Sequence, residues 1–210
     1  MSAENGKIAV IDYGAGNLYS VLCALKRAAA PVYVAKTPSE LSGCAGVVLP
    51  GVGAFGYAAE SLKESGFYAS VKEKVSGGTP ILGICLGMQL LFSSSEESVG
   101  ATGLGILPGK VLKLKTGSLK SPHMGWTSLT DCKGELMRGV KDGDFVYFVH
   151  SYAVFSEGCA CARAKYGETF DAAVERGNVF ATQFHPEKSS SVGHTILVNF
   201  LNYCYGRAEA

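Results

Sequence analysis

From Lys7 to Phe92, short apolar runs alternate with amphipathic stretches. Lys7 to Ile11 reads as a β-strand that ends at Asp12-Tyr13-Gly14. Asn17 is placed to cap a helix reaching about Ala29, with Leu18, Val21, Leu22 and Leu25 on one face. Val32 to Ala35 is a second strand, and Gly46 to Leu49, closed by Pro50-Gly51, is a third. Helical patterns follow to about Val75, and Gly77-Gly78-Thr79-Pro80 breaks the chain. Ile81 to Ile84 is a fourth strand, followed by a helix from Leu86 to Phe92. Strands alternating with helices predict βαβ units and a parallel sheet. The apolar runs are continuous rather than alternating, as expected when helices cover both faces.

The second half reads differently. Lys110 to Leu114, Phe145 to Val149, Cys161 to Lys165 and Val179 to Gln183 are strand-like, with Gly158, Gly167 and Gly177 between them. They predict antiparallel or mixed strands that extend the sheet. A last helix runs from about Val192 to Tyr203, with Ile196, Leu197, Phe200 and Leu201 inward. With no internal repeat or linker, 1–210 reads as a single α/β domain: a mixed, mostly parallel sheet flanked by helices.

Composition narrows the class. Apolar residues make up 47% and charged residues 18%, which supports a packed core. The net charge of +1 offers no broad field for nucleic acid or an anionic membrane, so the partners expected are small molecules and proteins. No run has the length of a signal h-region or a membrane span, and the expectation is a cytoplasmic protein. Seven cysteines, none in CxxC spacing, argue against a disulfide framework. Cys159-Ala160-Cys161 has the form CxC, but no nearby ligand completes a metal site. The better reading is a strand with two small apolar side chains on one face.

The sharpest chemical feature is Gly83-Ile84-Cys85-Leu86-Gly87, where a strand meets a helix. It has the pattern of a nucleophile elbow with cysteine as the nucleophile. The turn is too tight for side chains at the flanking positions, hence the glycines. The sulfur then projects above the sheet edge at a helix start, which favours thiolate, and the Leu86 N–H can donate to an oxyanion. A buried structural cysteine is the competing reading.

A nucleophile needs a base, and the base needs an orienter. His185 and Glu187, in Gln183-Phe184-His185-Pro186-Glu187, are two apart in extended backbone and point to one side. Glu187 can thus orient the imidazole while its other nitrogen faces Cys85. His150 follows a strand and is placed to line the same cleft, whereas His194 falls on the solvated side of the last helix. Gly51-Val52-Gly53-Ala54-Phe55-Gly56 fits a dinucleotide loop in spacing, but it follows the third strand and no acid ends the fourth. A loop supplying a second oxyanion donor fits better.

Gly83-Ile84-Cys85-Leu86-Gly87-Met88-Gln89 together with His185-Pro186-Glu187 resembles the class I (triad) glutamine amidotransferases, and implies their flavodoxin-like fold. Four further runs, spread through the chain, are similar to the glutaminase subunits of imidazole glycerol phosphate synthase. They are Asp12-Tyr13-Gly14-Ala15-Gly16-Asn17-Leu18, Pro50-Gly51-Val52-Gly53-Ala54-Phe55, Pro122-His123-Met124-Gly125-Trp126 and Tyr147-Phe148-Val149-His150-Ser151-Tyr152.

The resemblance implies that Cys85 attacks glutamine, that His185 moves the proton and that Glu187 orients His185. It also implies that Gly51, Val52, Gly53, Leu86, Gln89, Ser151 and Tyr152 bind substrate, and that the loop at Val52 reorients when a partner docks. That partner would be a (β/α)8-barrel cyclase in a heterodimer, with Met124, Trp126 and Lys188 near the interface and the ammonia passage. No cofactor and no metal are implied. One residue departs from the family run: Thr127 stands where Asn usually follows Trp126, which affects contacts near the interface. Three other readings remain: an ammonia-supplying paralogue for surface-sugar biosynthesis, a cysteine hydrolase sharing the elbow, and a nucleotide-binding regulatory subunit using Gly51 to Gly56.

Overall fold

The computed structural model describes residues 6–206. The ends of the 1–210 domain expectation therefore lie outside the described residues. The parallel strands are β1 (Ile8–Ile11), β2 (Val32–Ala35), β3 (Gly46–Gly51), β4 (Ile81–Cys85) and β11 (Val179–Thr182). The remaining strands are β5 (Gly109–Lys113), β6 (His123–Thr130), β7 (Phe145–His150), β8 (Tyr152–Ser156), β9 (Ala160–Tyr166) and β10 (Glu168–Arg176). The order is β2-β1-β3-β4-β11-β10-β9-β6-β7, with β8 pairing β10 and β5. All pairings among β5 to β10 are antiparallel, and β10 meets β11 antiparallel.

Helices cover both faces of the parallel part, as the continuous apolar runs predict. Ile8, Val10, Val48 and Leu82 pack with Val21 and Leu25 of α1 (Leu18–Arg27) and with Ile196, Leu197 and Phe200 of α5 (Ser190–Cys204). Ala9, Ile11, Val47 and Leu49 face the other way, against Phe55 and Leu62 of α2 (Phe55–Glu64) and Phe67 and Val71 of α3 (Phe67–Ser76). The Asn17 side chain caps α1 by accepting from the Ser20 N–H, as expected. The helical stretch after β3 is two helices, because Gly66 turns left-handed at φ 78.

The sequence reading differs from the structure in three places. First, β6, β8 and β10 carry no clean apolar alternation. β6 forms a half-exposed ribbon with β7, β8 follows β7 after the single residue Ser151, and β10 buries Asp171. Second, α4 (Leu86–Leu90) is only five residues and wholly buried, so it offers the site the N–H groups of one turn and the Gln89 side chain. Third, Cys159 and Cys161 do not share a face. Cys159 precedes β9 and packs into the second core, while Cys161 packs into the first. Register shifts between Asp171, Ala173 and Val174 break the strict alternation there.

Candidate active site

β4 lies between β3 and β11, with Gly51 opposite Cys85 on one side and Thr182 opposite Ile84 on the other. These ladders hold Cys85 at φ 55 and ψ −109, a conformation unfavourable for a residue with a side chain. The glycines of the elbow have the steric role read from the sequence. A Cβ on Gly87 would sit 1.9 Å from the Leu49 carbonyl oxygen, and one on Gly83 would sit 2.8 Å from the Gly87 carbonyl oxygen. Gly51 is equally crowded: a Cβ would lie 2.8 Å from both the Gly87 nitrogen and the Tyr13 hydroxyl.

Cys85 opens into a cavity of about 180 Å³. Val52, Gly53, Leu86, Gln89, Ser151 and Tyr152 line it, and so do His150 and His185. The expected substrate residues therefore converge, with Gly51 set back beside Cys85 in the strand ladder.

His185 is pinned at the backbone. Its N–H donates to the Tyr147 carbonyl at 3.0 Å. The Ser189 hydroxyl donates to the His185 carbonyl at 2.7 Å and accepts from the Tyr147 N–H at 3.0 Å. Its Nδ1 meets Glu187 Oε1 at 2.8 Å, with both side chains almost wholly buried. Nε2 makes no closed hydrogen bond and interacts with the Cys85 sulfur across the cavity. Burial alone would lower the pKa of this imidazole. The nearby Cys85 sulfur and the hydrogen bond to Glu187 outweigh burial and push it up to about 9. At neutral pH the ring thus holds a proton on each nitrogen.

Gln183 was not singled out from the sequence. It is fully buried, and its Nε2 lies 3.8 Å from Cys85 Sγ. Its Oε1 accepts from Gln89 Nε2 at 3.1 Å. The extended backbone expected from His185 to Glu187 is not found: Pro186–Lys188 is a 3-10 turn, so Glu187 reaches Nδ1 from that turn, and Gln183 is marked only by its distant contacts to Gln89 and Cys85. Ser189 carried no signal either, because it acts through a turn.

Beside the cavity is an exposed apolar face. Met124 is 62% and Trp126 50% exposed. Trp126 meets the Tyr147 ring edge-on at 6.0 Å, and the Lys188 ammonium lies 5.9 Å from the same ring. Met124 and Trp126 thus lie on β6 one strand from Tyr147, and Lys188 joins them through that ring. His194 is exposed on α5. Among the described residues no group of three His, Cys, Asp or Glu is placed to hold a metal, and no helix is long and apolar enough to cross a membrane.

A model of the glutamine amidotransferase class-I family matches residues 9–203. The chain is similar to proteins named imidazole glycerol phosphate synthase subunit HisH. It is 48% identical to that of Geobacillus kaustophilus, covering 96% of this chain and 99% of the relative. It is 50% identical to that of Bacillus licheniformis, covering 93% and 96%. It is 48% identical to that of Moorella thermoacetica, covering 92% and 93%. The fold superposes on a crystal structure of a glutamine amidotransferase (TM-score 0.75, 20% identity, 96% of this chain and 100% of that one). It also superposes on a chain of PurLQS from Thermotoga maritima (TM-score 0.75, 20% identity, 95% and 99%).

Proposed function

We infer the function of this chain from one premise: it belongs to the class I glutamine amidotransferases. Close to half of its residues are identical to those of HisH subunits over nearly its whole length. It is therefore the glutamine amidotransferase subunit of an imidazole glycerol phosphate synthase, an enzyme of histidine biosynthesis, and it works as a subunit of a complex. A single domain over 1–210, working in the cytoplasm, is part of the same reading; the continuous sheet of the described residues supports the single domain.

The observation that carries the mechanism is the line from Cys85 through His185 to Glu187, buried at the end of a cavity. The Cys85 sulfur, having given its proton to His185, attacks the carboxamide carbon of glutamine. A new C–S bond forms and the carbonyl oxygen becomes an oxyanion, facing the N–H of Leu86 and the loop at Val52 and Gly53. His185 returns the proton to the amide nitrogen, the C–N bond breaks and ammonia leaves. Water, deprotonated by His185, then cleaves the thioester to glutamate and restores the thiol. Glu187 keeps Nδ1 engaged so that Nε2 does the work. Gln89 and the Ser151–Tyr152 backbone form the wall that receives the substrate. The cycle balances without a redox group.

The ammonia acceptor is a (β/α)8-barrel cyclase docked over Met124, Trp126 and Lys188. The exposed apolar face beside the cavity mouth supports that placement. Reconstitution with the cyclase tests the reading. Cys85→Ala should remove glutaminase activity while leaving the complex intact. Unchanged turnover in that variant refutes the mechanism.

A further inference from the structure

His123 stands directly opposite His150 in the β6–β7 ladder. His123 is 1% and His150 7% exposed. The His123 ring is held between two others, Phe148 at 4.9 Å and Tyr166 at 4.0 Å, with interplanar angles of 25° and 18°. It has no room to turn out of the stack. Three short contacts join these residues in a line. Thr127 Oγ1 lies 2.8 Å from His123 Nε2, His123 Nδ1 lies 3.0 Å from His150 Nε2, and His150 Nδ1 lies 2.9 Å from the Tyr152 carbonyl oxygen.

The proton positions along this line follow by elimination. A carbonyl only accepts, so His150 Nδ1 carries the hydrogen. A neutral imidazole has one N–H, so His150 Nε2 accepts and His123 Nδ1 must donate. His123 Nε2 then accepts from the Thr127 hydroxyl. Burial keeps both rings neutral, lowering His123 to about 4 and His150 to about 3. The His123 and His185 rings beside it lower His150 further, against the hydrogen bond to Tyr152. All three bonds therefore point one way, from β6 towards the substrate cavity.

The far end of the line is also an anchor for the site. The Tyr152 carbonyl accepts a second hydrogen bond, from Gln89 Nε2 at 3.0 Å. Gln89 in turn donates to Gln183, whose amide approaches the Cys85 sulfur. Both lone pairs of that carbonyl are engaged, one by each network.

We propose that Thr127, His123 and His150 are positioning residues for glutamine, which fix the Tyr152 carbonyl and with it the Ser151–Tyr152 wall and the Gln89 amide. The identity of the substrate rests on the function proposed above. Thr127 sets the polarity of the line. Without its hydroxyl, His123 Nε2 is a buried acceptor with no donor. Moving the His123 proton to Nε2 would leave Nδ1 facing the lone pair of His150 Nε2. Restoring that contact would need His150 to do the same, and its Nδ1 would then face the Tyr152 oxygen with no hydrogen between them. A change on the partner-facing strand is thereby felt at the substrate wall, two residues away.

The test compares Thr127→Val, nearly isosteric but lacking the donor, with Thr127→Ser, which keeps it. Both are assayed for glutamine turnover in the complex with the cyclase. Nitrogen-15 NMR of the histidine rings is recorded on the free subunit. In the unsubstituted chain at neutral pH, His123 and His150 should both show the Nδ1–H tautomer. Thr127→Val should raise KM for glutamine about tenfold, the scale of one hydrogen bond, with kcat within about twofold, and should disturb both tautomers. Thr127→Ser should behave as the unsubstituted chain. Unchanged KM and tautomers in Thr127→Val, or a loss confined to kcat, overturns the proposal. An Nε2–H tautomer or a charged ring at either histidine of the unsubstituted chain overturns it too, even if Thr127→Val fails to fold. A complex that never hydrolyses glutamine would instead overturn the function, leaving the tautomers to decide the relay.

Discussion

Gly193, near the start of α5, belongs to no motif of the site, yet replacing it with alanine should cripple the enzyme. A Cβ at this position would lie 1.9 Å from the Pro186 carbonyl oxygen, 2.8 Å from its carbon and 2.9 Å from Ser189 Cβ. Real Cβ atoms stay beyond 3.0 Å, so helix or turn must give by at least 3.0 − 1.9 = 1.1 Å. The obstacle is backbone and cannot swing aside. Pro186 sits between His185 and Glu187, and Ser189 holds the His185 carbonyl. Helix propensity alone predicts that glycine to alanine stabilises by about 1 kcal/mol. Overpacking predicts a loss of about 1–3 kcal/mol, so net stability should change little or fall modestly. The catalytic effect is much larger, because a misplacement of about 1 Å in a reacting group costs on the order of 10²-fold. The assay is glutaminase kcat/KM in the reconstituted complex, alongside urea unfolding of the free subunit. A stably folded Gly193→Ala with the kcat/KM of the unsubstituted chain would refute the claim that α5 holds the His185 turn by direct contact.

Two further predictions concern charge. Gln183→Glu places a carboxylate beside the Cys85 sulfur, where like charges at this range disfavour the thiolate. Alkylation of Cys85 by iodoacetamide at neutral pH should slow by about tenfold or more, and an unchanged rate would remove Gln183 from the site's electrostatics. Stability should also be highest near pH 6.5 and fall on both sides. His150 is held neutral, so the unfolded chain binds a proton below about 6.5 that the folded chain refuses, costing about 2 kcal/mol by pH 5. His185 has the opposite sign: its contribution is full below about 6.5 and is lost as the pH rises through about 9. Urea midpoints measured from pH 4.5 to 9.5 check both arms, and a flat profile contradicts them.

The parallel half of the fold was legible because its central strands are buried on both faces and the chain has strong breaks such as Pro50-Gly51 and Gly77-Gly78. The elbow was legible from its spacing: Gly83 answers to the backbone of Gly87 four residues on, although Gly87 itself answers to Leu49 on the neighbouring strand. β6 and β10 were not, because pairing partners rather than their own alternation define them. The convergence of Cys85 with His185 could be guessed from chemistry. The roles of Gln183, Ser189 and the His123–His150 pair could not, because each depends on a contact between segments far apart in sequence. The shared face of Cys159 and Cys161 failed on a local irregularity that no alternation rule contains.

β11 has a consequence in time. It lies in the middle of the sheet, between β4 and β10, yet it is the last strand in sequence order among the described residues. Gln183 at its end follows Cys85 by 98 residues. At about 5–20 residues per second, a ribosome needs roughly 5–20 s to cover that gap. Throughout that interval β4 has one open edge, and the thiol has neither its imidazole nor its amide neighbour. The nascent chain therefore carries its nucleophile unarmed. Glutamine meets a complete site only after synthesis has passed Glu187 and β11 has closed the sheet.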